Sequence, residues 1–298
     1  MCKDQFEKIG FFIFCFILWA PLVAQDNSSL GERIQFDLQG ESHFSRYNFT
    51  NIKIPYNGID CWTEFKIALW LNREQSFAPY ISIIPSLTSE GEFWWQKNAQ
   101  FALGFQWYFF STKNPYFRGI RLYSLLAYRN YFSKPEGADS QDTDLQLGAD
   151  YYYDNLFDRG TLVSALWSNG GYRKSNFSFK DYNSFLWMGN VKIGLKTSGS
   201  QRILMGYLVF EWTYAPKYKG HWWENFFRTG VGVRFYPWAK KRESFAEDFL
   251  RRFNLYAEFL HNAAWLGDSP VTGAVGKSDF RIGLGFSTGG FFRDKQIH

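Results

Sequence analysis

The stretch FALGFQWYFF, residues 101–110, decides how this chain folds. Phe101, Leu103, Phe105, Trp107 and Phe109 take every second position, with Ala102, Gly104, Gln106 and Tyr108 between them. Such alternation marks a strand with two unlike faces. In a soluble protein the bulky face needs a core to pack against. The same demand recurs along the chain. RIQFDLQGE (33–41) sets Ile34, Phe36 and Leu38 against Arg33, Gln35, Asp37, Gln39 and Glu41. WTEFKIALWL (62–71) sets Phe65, Ile67, Leu69 and Leu71 against Glu64, Lys66, Ala68 and Trp70. DLQLGADYYY (144–153), FRTGVGVRFY (227–236) and DFRIGLGFS (279–287) repeat the pattern.

Composition says where those rings go. Aromatic residues make up 21% of the 298, yet mean hydropathy is only −0.32. No long apolar run follows the first 25 residues, which excludes a bundle of membrane helices, since each needs about 20 apolar residues in a row. A membrane barrel alternates lipid-facing and lumen-facing residues, so its average stays polar. The expectation is therefore an all-β fold: one antiparallel transmembrane β-barrel of about twelve strands. The rings then face lipid and need no protein core. A soluble β-sandwich or lipocalin-like barrel is the competing fold, with the charged face turned outward.

The candidate strands lie near 33–42, 61–72, 77–87, 98–110, 118–132, 142–154, 160–172, 184–197, 202–214, 226–236, 253–265 and 278–288. Long connections follow the odd strands, at 43–60, 88–97, 133–141, 173–183, 215–225 and 266–277. Short ones follow most even strands, at 73–76, 111–117, 155–160 and 198–201. That is the arrangement of long extracellular loops and short periplasmic turns. The exception is PWAKKRESFAEDFLRR (237–252). Ser244 with Glu247 three residues on forms a capping box, which predicts a short amphipathic helix near 243–252. Phe245, Phe249 and Leu250 share one of its faces, so it either fills space at the periplasmic rim or serves as a docking element or plug.

Residues 1–24 have the form of a signal peptide: Lys3 and Lys8, an apolar run from Ile9 to Leu18, and a cleavage site after Ala24. Residues 25–298 then form the barrel, in the outer membrane of a Gram-negative bacterium. Its partners are the outer-membrane lipid and the barrel-assembly machinery. The net charge of +5 is mild and its signs are interspersed, which does not suggest a nucleic-acid surface.

The polar face of each strand predicts the lumen: Arg33, Asp37, Glu64, Lys66, Tyr108, Arg121, Arg129, Asp144, Asp150, Lys192, Glu211, Arg228, Arg234, Glu258 and Arg281. Signs are nearly balanced, so the charges either form a sealed salt-bridge network or line a hydrated path for a polar solute. Trp94, Trp95, Trp222 and Trp223 fall in predicted extracellular loops. No His or Cys cluster has metal-ligand spacing, and no cofactor motif is present. WSNGGYRKSN (167–176) carries a Ser-Asn-Gly similar to that of outer-membrane phospholipases, but Leu166 and Trp167 stand where a histidine is expected before Ser168. A lipid hydrolase or deacylase is thus the enzymatic rival to a non-enzymatic barrel. It requires a base such as His43 or His261 to meet a Ser or Asp at the outer rim.

Three segments carry a family resemblance: GVGVRFYPW (230–238), FNLYAEFLHNAAWLGD (253–268) and SDFRIGLGFSTGG (278–290). Together they resemble the C-terminal barrel domain of bacteriophage adsorption protein A and, more distantly, exopolysaccharide-export barrels. The shared pattern is a glycine-alternating strand ending in aromatic-Pro, an LYAE-type strand, and a last strand of the form D-aromatic-R-x-G. The resemblance implies a barrel that passes or displays a polar polymer, or that acts as a surface or phage receptor. It spans residues 230–290, within the last third of the chain, and departs at the end, where FFRDKQIH follows the final strand.

Overall fold

A computed structural model describes residues 33–47, 56–71, 76–89, 97–108, 117, 119–133, 143–158, 160–175, 182–197, 202–216, 225–239, 245–265 and 278–287. The predicted signal peptide and the four loop tryptophans lie outside these residues. The strands are β1 (Ile34–Tyr47), β2 (Tyr56–Leu69), β3 (Phe77–Thr88), β4 (Asn98–Trp107), β5 (Ile120–Tyr131) and β6 (Thr143–Asp154). They continue as β7 (Leu162–Ser175), β8 (Tyr182–Lys196), β9 (Ile203–Tyr214), β10 (Phe226–Tyr236), β11 (Asn254–Trp265) and β12 (Ser278–Ser287). Each pairs antiparallel with its sequence neighbours, and β12 returns to β1, so the sheet is a closed barrel. The seam runs in unbroken register from Gln39 opposite Ser287 to Tyr47 opposite Asp279. Strands of 10 to 15 residues meet the roughly 9–11 that a tilted strand needs to cross a bilayer.

The opening stretch shows how the two faces divide. Leu103 is 62% exposed and Phe105 52%, while Ala102 and Gln106 on either side of them are buried. Phe105 stacks on Phe77 of β3 at 5.9 Å along the outer wall. Leu126, Leu195, Val231 and Ile282 are exposed in the same way on other strands. Charged residues lie on the opposite, inward face. This is the reverse of a soluble barrel, and an apolar belt of that extent is accommodated by lipid.

Some strands run further than the sequence predicts: β7 continues to Ser175, and β1 and β2 pair through residues 43–47 and 56–60 of the expected first long loop, with Ser42 opposite Cys61 and Ser45 opposite Gly58. Polar side chains hide the alternation in that loop. Ser45 points inward, 1% exposed, and donates to Asp279 Oδ1 at 2.8 Å. The connection lengths therefore alternate less sharply than expected: the first spans 48–55, and the one after β4 spans 108–119.

Glycine on the inward face makes room for rings. A Cβ on Gly104 would stand 2.5 Å from the Tyr80 ring, and one on Gly232 would stand 2.5 Å from the Tyr207 ring. Both tyrosines lie across the inner wall, where a larger neighbour would lift them off.

The expected helix is α1 (Phe245–Arg252), with Arg251 and Arg252 in its last turn, where cations suit the negative end of the helix dipole. Ser244, its predicted cap, lies outside the described residues. Phe249 packs its ring at a tilt on Phe286 of β12, 5.3 Å between centroids. The guanidinium of Arg251 sits 3.8 Å from the Phe157 ring centre in the β6–β7 turn.

Candidate channel interior

The inward side chains form three charged groups. In the first, Lys66 Nζ lies 2.9 Å from Asp37 and donates to Gln106 Oε1 at 3.3 Å. Gln106 also accepts from Arg121 at 3.1 Å. Arg121 Nε donates to both carboxylate oxygens of Asp150, at 2.9 and 3.0 Å. Charge-assisted bonds of this kind are stronger than neutral ones. Gln106 is fully buried and joins the two ion pairs into one network across β1, β2, β4, β5 and β6.

The second group centres on Asp144, also fully buried, which accepts from Arg173 Nε at 2.9 Å and from Gln146 at 2.6 Å. The third lies across β8 to β12. Glu258, 3% exposed, accepts from Lys192 and from the Tyr207 hydroxyl, each at 2.6 Å. Arg234 is 3.5 Å from the same oxygen. Arg281 donates to Glu211 at 3.0 Å and to Asp279 at 2.7 Å, and Arg228 lies 3.6 Å from Asp279. Directly paired positions supply Asp37–Lys66 and Arg121–Asp150, whereas Lys192–Glu258, Arg281–Glu211 and Arg228–Asp279 join strands that are not neighbours in the sheet.

The remaining predicted lumen residues are placed more loosely. Glu64 accepts from Gln39 at 2.5 Å in an exposed setting. Arg129 donates to Gln100 at 3.4 Å. Tyr108 follows β4 and packs its ring 5.7 Å from Trp70. Arg33 stands just before β1, exposed, and its carbonyl accepts the Trp70 amide at 2.7 Å.

A cavity of about 470 Å³ opens inside the barrel, within the range of roughly 300–1,000 Å³ typical of ligand sites. Trp62, Tyr152, Trp167, Arg234, Tyr256 and Asn190 are among the residues lining it. Tyr108 is the one inward aromatic named from the sequence; Trp62 and Tyr152 are missed, although parity marks them: Trp62 is in phase with Glu64 and Lys66, and Tyr152 with Asp150. Leu156 and Phe157 of the β6–β7 turn form one end of this chamber. Leu156 is buried against Val163, Ile203, Met205 and Tyr236, and Phe157 meets Tyr236 edge-on at 6.1 Å. With Arg251 over Phe157, turn and helix together cap the rim where β1 begins.

The hydrolase components do not meet. Ser168 accepts from Trp187 Nε1 at 3.0 Å, and Trp187 packs on Trp212, with exposed rings on the outer wall around it. His43 is held inside, 3.3 Å from Glu41 and 3.9 Å from Asp60, with its ring 6.5 Å from that of Tyr256. Among the described residues no group of three or more His, Cys, Asp or Glu is arranged to hold a metal ion. Cys61 is a free thiol 2.8 Å from the Ser42 hydroxyl.

No family model matches this chain, and no curated protein matches it. Solved structures similar to it include a translocator domain, an outer-membrane channel and a porin. The translocator domain of autotransporter NalP from Neisseria meningitidis is 12% identical, with a TM-score of 0.39 over 95% of this chain and 97% of that one. An outer-membrane channel from Pseudomonas putida F1 is 8% identical, with a TM-score of 0.40 over 86% and 94%. The NanC porin is 10% identical, with a TM-score of 0.38 over 84% and 98%. Likeness at this level says nothing of function.

Proposed function

We propose that this chain is a non-enzymatic outer-membrane barrel of a Gram-negative bacterium that passes or displays a polar, exopolysaccharide-like polymer. The observation that supports this reading is the division of its faces. An apolar outer wall suits lipid, and an inner wall of charges and open aromatic rings surrounds a chamber of about 470 Å³. A polar solute finds hydrogen-bond partners there and is shielded from hydrocarbon. Display at the surface includes service as a receptor.

The test is conductance. The protein, refolded in detergent and inserted into a planar bilayer, is expected to give discrete conductance steps while migrating faster unboiled than boiled. A folded, heat-modifiable barrel without conductance would refute passage. It would favour the second reading, a sealed structural barrel. Two observations support that alternative: the partnered inner charges, and the cap of Leu156, Phe157 and α1 at one rim.

A further inference from the structure

We propose that the chamber binds neutral carbohydrate, a proposal that rests on the passage reading and names its solute class. Three observations carry it. First, rings are left open inside the barrel. Tyr152 is 50% exposed and Trp62 is 36% exposed, yet both line the chamber rather than the outer wall. By contrast the inward apolar side chains Val163, at the edge of the same chamber, and Val209 are packed to 1% and 0%. An apolar ring face left in water is unfavourable, and covering it is a gain. The C–H face of a sugar ring is the kind of surface that covers it while its hydroxyls remain hydrogen-bonded. Trp62 comes from β2 and Trp167 from β7, nearly half the circumference apart, so the chamber offers rings on two walls.

Second, the charges around the chamber are balanced. The lining holds Lys192, Arg234 and Arg252 beside Glu41 and Asp154, and Glu258, an inward residue next to the lining, pairs with both Lys192 and Arg234 and brings the signs level. The carboxylates already have donors. Glu41 takes the Tyr256 hydroxyl, and Asp154 takes the Tyr152 hydroxyl at 3.2 Å and the Leu156 amide at 2.7 Å. No surplus of either sign is left to select an ion. A neutral polyol both donates and accepts, which matches mixed carboxylate, guanidinium and amide edges.

Third, a fixed donor borders the chamber. The Arg234 side chain is 21% exposed there. The Arg234 guanidinium is held 5.2 Å from the Tyr256 ring centre and 5.6 Å from that of Tyr207. It is therefore fixed in place beside the open rings and needs no rearrangement to receive a hydroxyl.

The experiment uses the full folded barrel in detergent. Tryptophan fluorescence and calorimetry follow titration with three neutral probes, maltohexaose, cellohexaose and xylohexaose, against acidic oligogalacturonate. At least one neutral probe is expected to bind saturably and to block bilayer conductance, and oligogalacturonate is expected to bind at least about tenfold more weakly, a difference of about 1.4 kcal/mol. Trp62→Ala is expected to weaken binding by about tenfold, and Trp62→Phe to retain most of it. Heat-modifiability shows that each variant is folded. No saturable binding of any neutral probe, a preference for the acidic one, or unchanged affinity in folded Trp62→Ala would each overturn the site. Conductance without binding would remove the site and leave passage standing. Binding without conductance would keep the site and remove passage.

Discussion

Glu258→Gln keeps a side chain's shape and removes one charge, and its effect follows from geometry. The carboxylate is 3% exposed and holds Lys192 and Tyr207 at 2.6 Å and Arg234 at 3.5 Å. Taking one side from a buried ion pair costs about 3–5 kcal/mol, because the partner charge stays behind. Here both cations border the chamber, with side chains 12% and 21% exposed, so lumen water offsets part of the loss. The expected loss is the lower end, about 3 kcal/mol. With a urea slope of about 1–3 kcal/mol per molar, the midpoint should fall by about 1–3 M. Glu64→Gln is the control. Its hydrogen bond is with the exposed Gln39, and exposed contacts are worth about 0–1 kcal/mol. Unfolding in detergent, read by gel mobility and tryptophan emission, measures both. Adding Lys192→Met to Glu258→Gln should recover part of the loss, since the two residues are coupled. Equal midpoints for Glu258→Gln and Glu64→Gln would refute the reasoning. The inner charges would then be hydrated individually, and their pairing would contribute nothing to holding the barrel.

Phe105→Arg should hinder membrane insertion by about 2–4 kcal/mol, the cost of a cation on the lipid face near the midplane, whereas Gln39→Arg, inside and next to Glu64, should insert normally; assembly yield in vesicles compares them. Arg121→Ala should lower thermal stability with little change in conductance, because Arg121 is committed to Asp150 and Gln106, while Arg234→Ala should change conductance, because its side chain borders the chamber. Phe157→Ala should raise conductance by removing the ring that Arg251 and Tyr236 hold at the rim, and an unchanged conductance would show that this end is not limiting. Gly232→Val should push the Tyr207 ring away from Glu258 and lower the unfolding midpoint, since even a Cβ there meets the ring at 2.5 Å.

The barrel was legible in the sequence because its two faces differ in chemistry at every second residue. Phe101 to Trp107 shows that difference at its clearest, and the strand follows it. The first loop was overdrawn for the opposite reason. Between Ser42 and Tyr47 both faces are partly polar, so hydropathy fell although pairing with β2 continued. Parity also marked Lys66, Arg121 and Glu258 as inward residues. It did not assign their partners, because strand register is a property of two strands. Arg173 and Asp144 meet through the β6–β7 pairing, one step removed from the directly opposite residue, and nothing in either segment alone indicates it. The aromatic chamber was missed because its rings come from strands far apart in sequence. Trp62 and Trp167 come together only when the sheet closes.

That closure also orders events in time. β1 has its second neighbour only when Ser278–Ser287 has arrived, the last described strand of the chain. Until then the growing sheet carries two raw edges, each a row of unpaired amides and carbonyls ready to join any other strand. A chain truncated before residue 278 is therefore not a barrel one strand smaller. It is an open sheet with an adhesive border at each side, in a bilayer that has no water to satisfy it. Most of the chain must be held in waiting for the ten residues of β12, and assembly succeeds or fails as a whole.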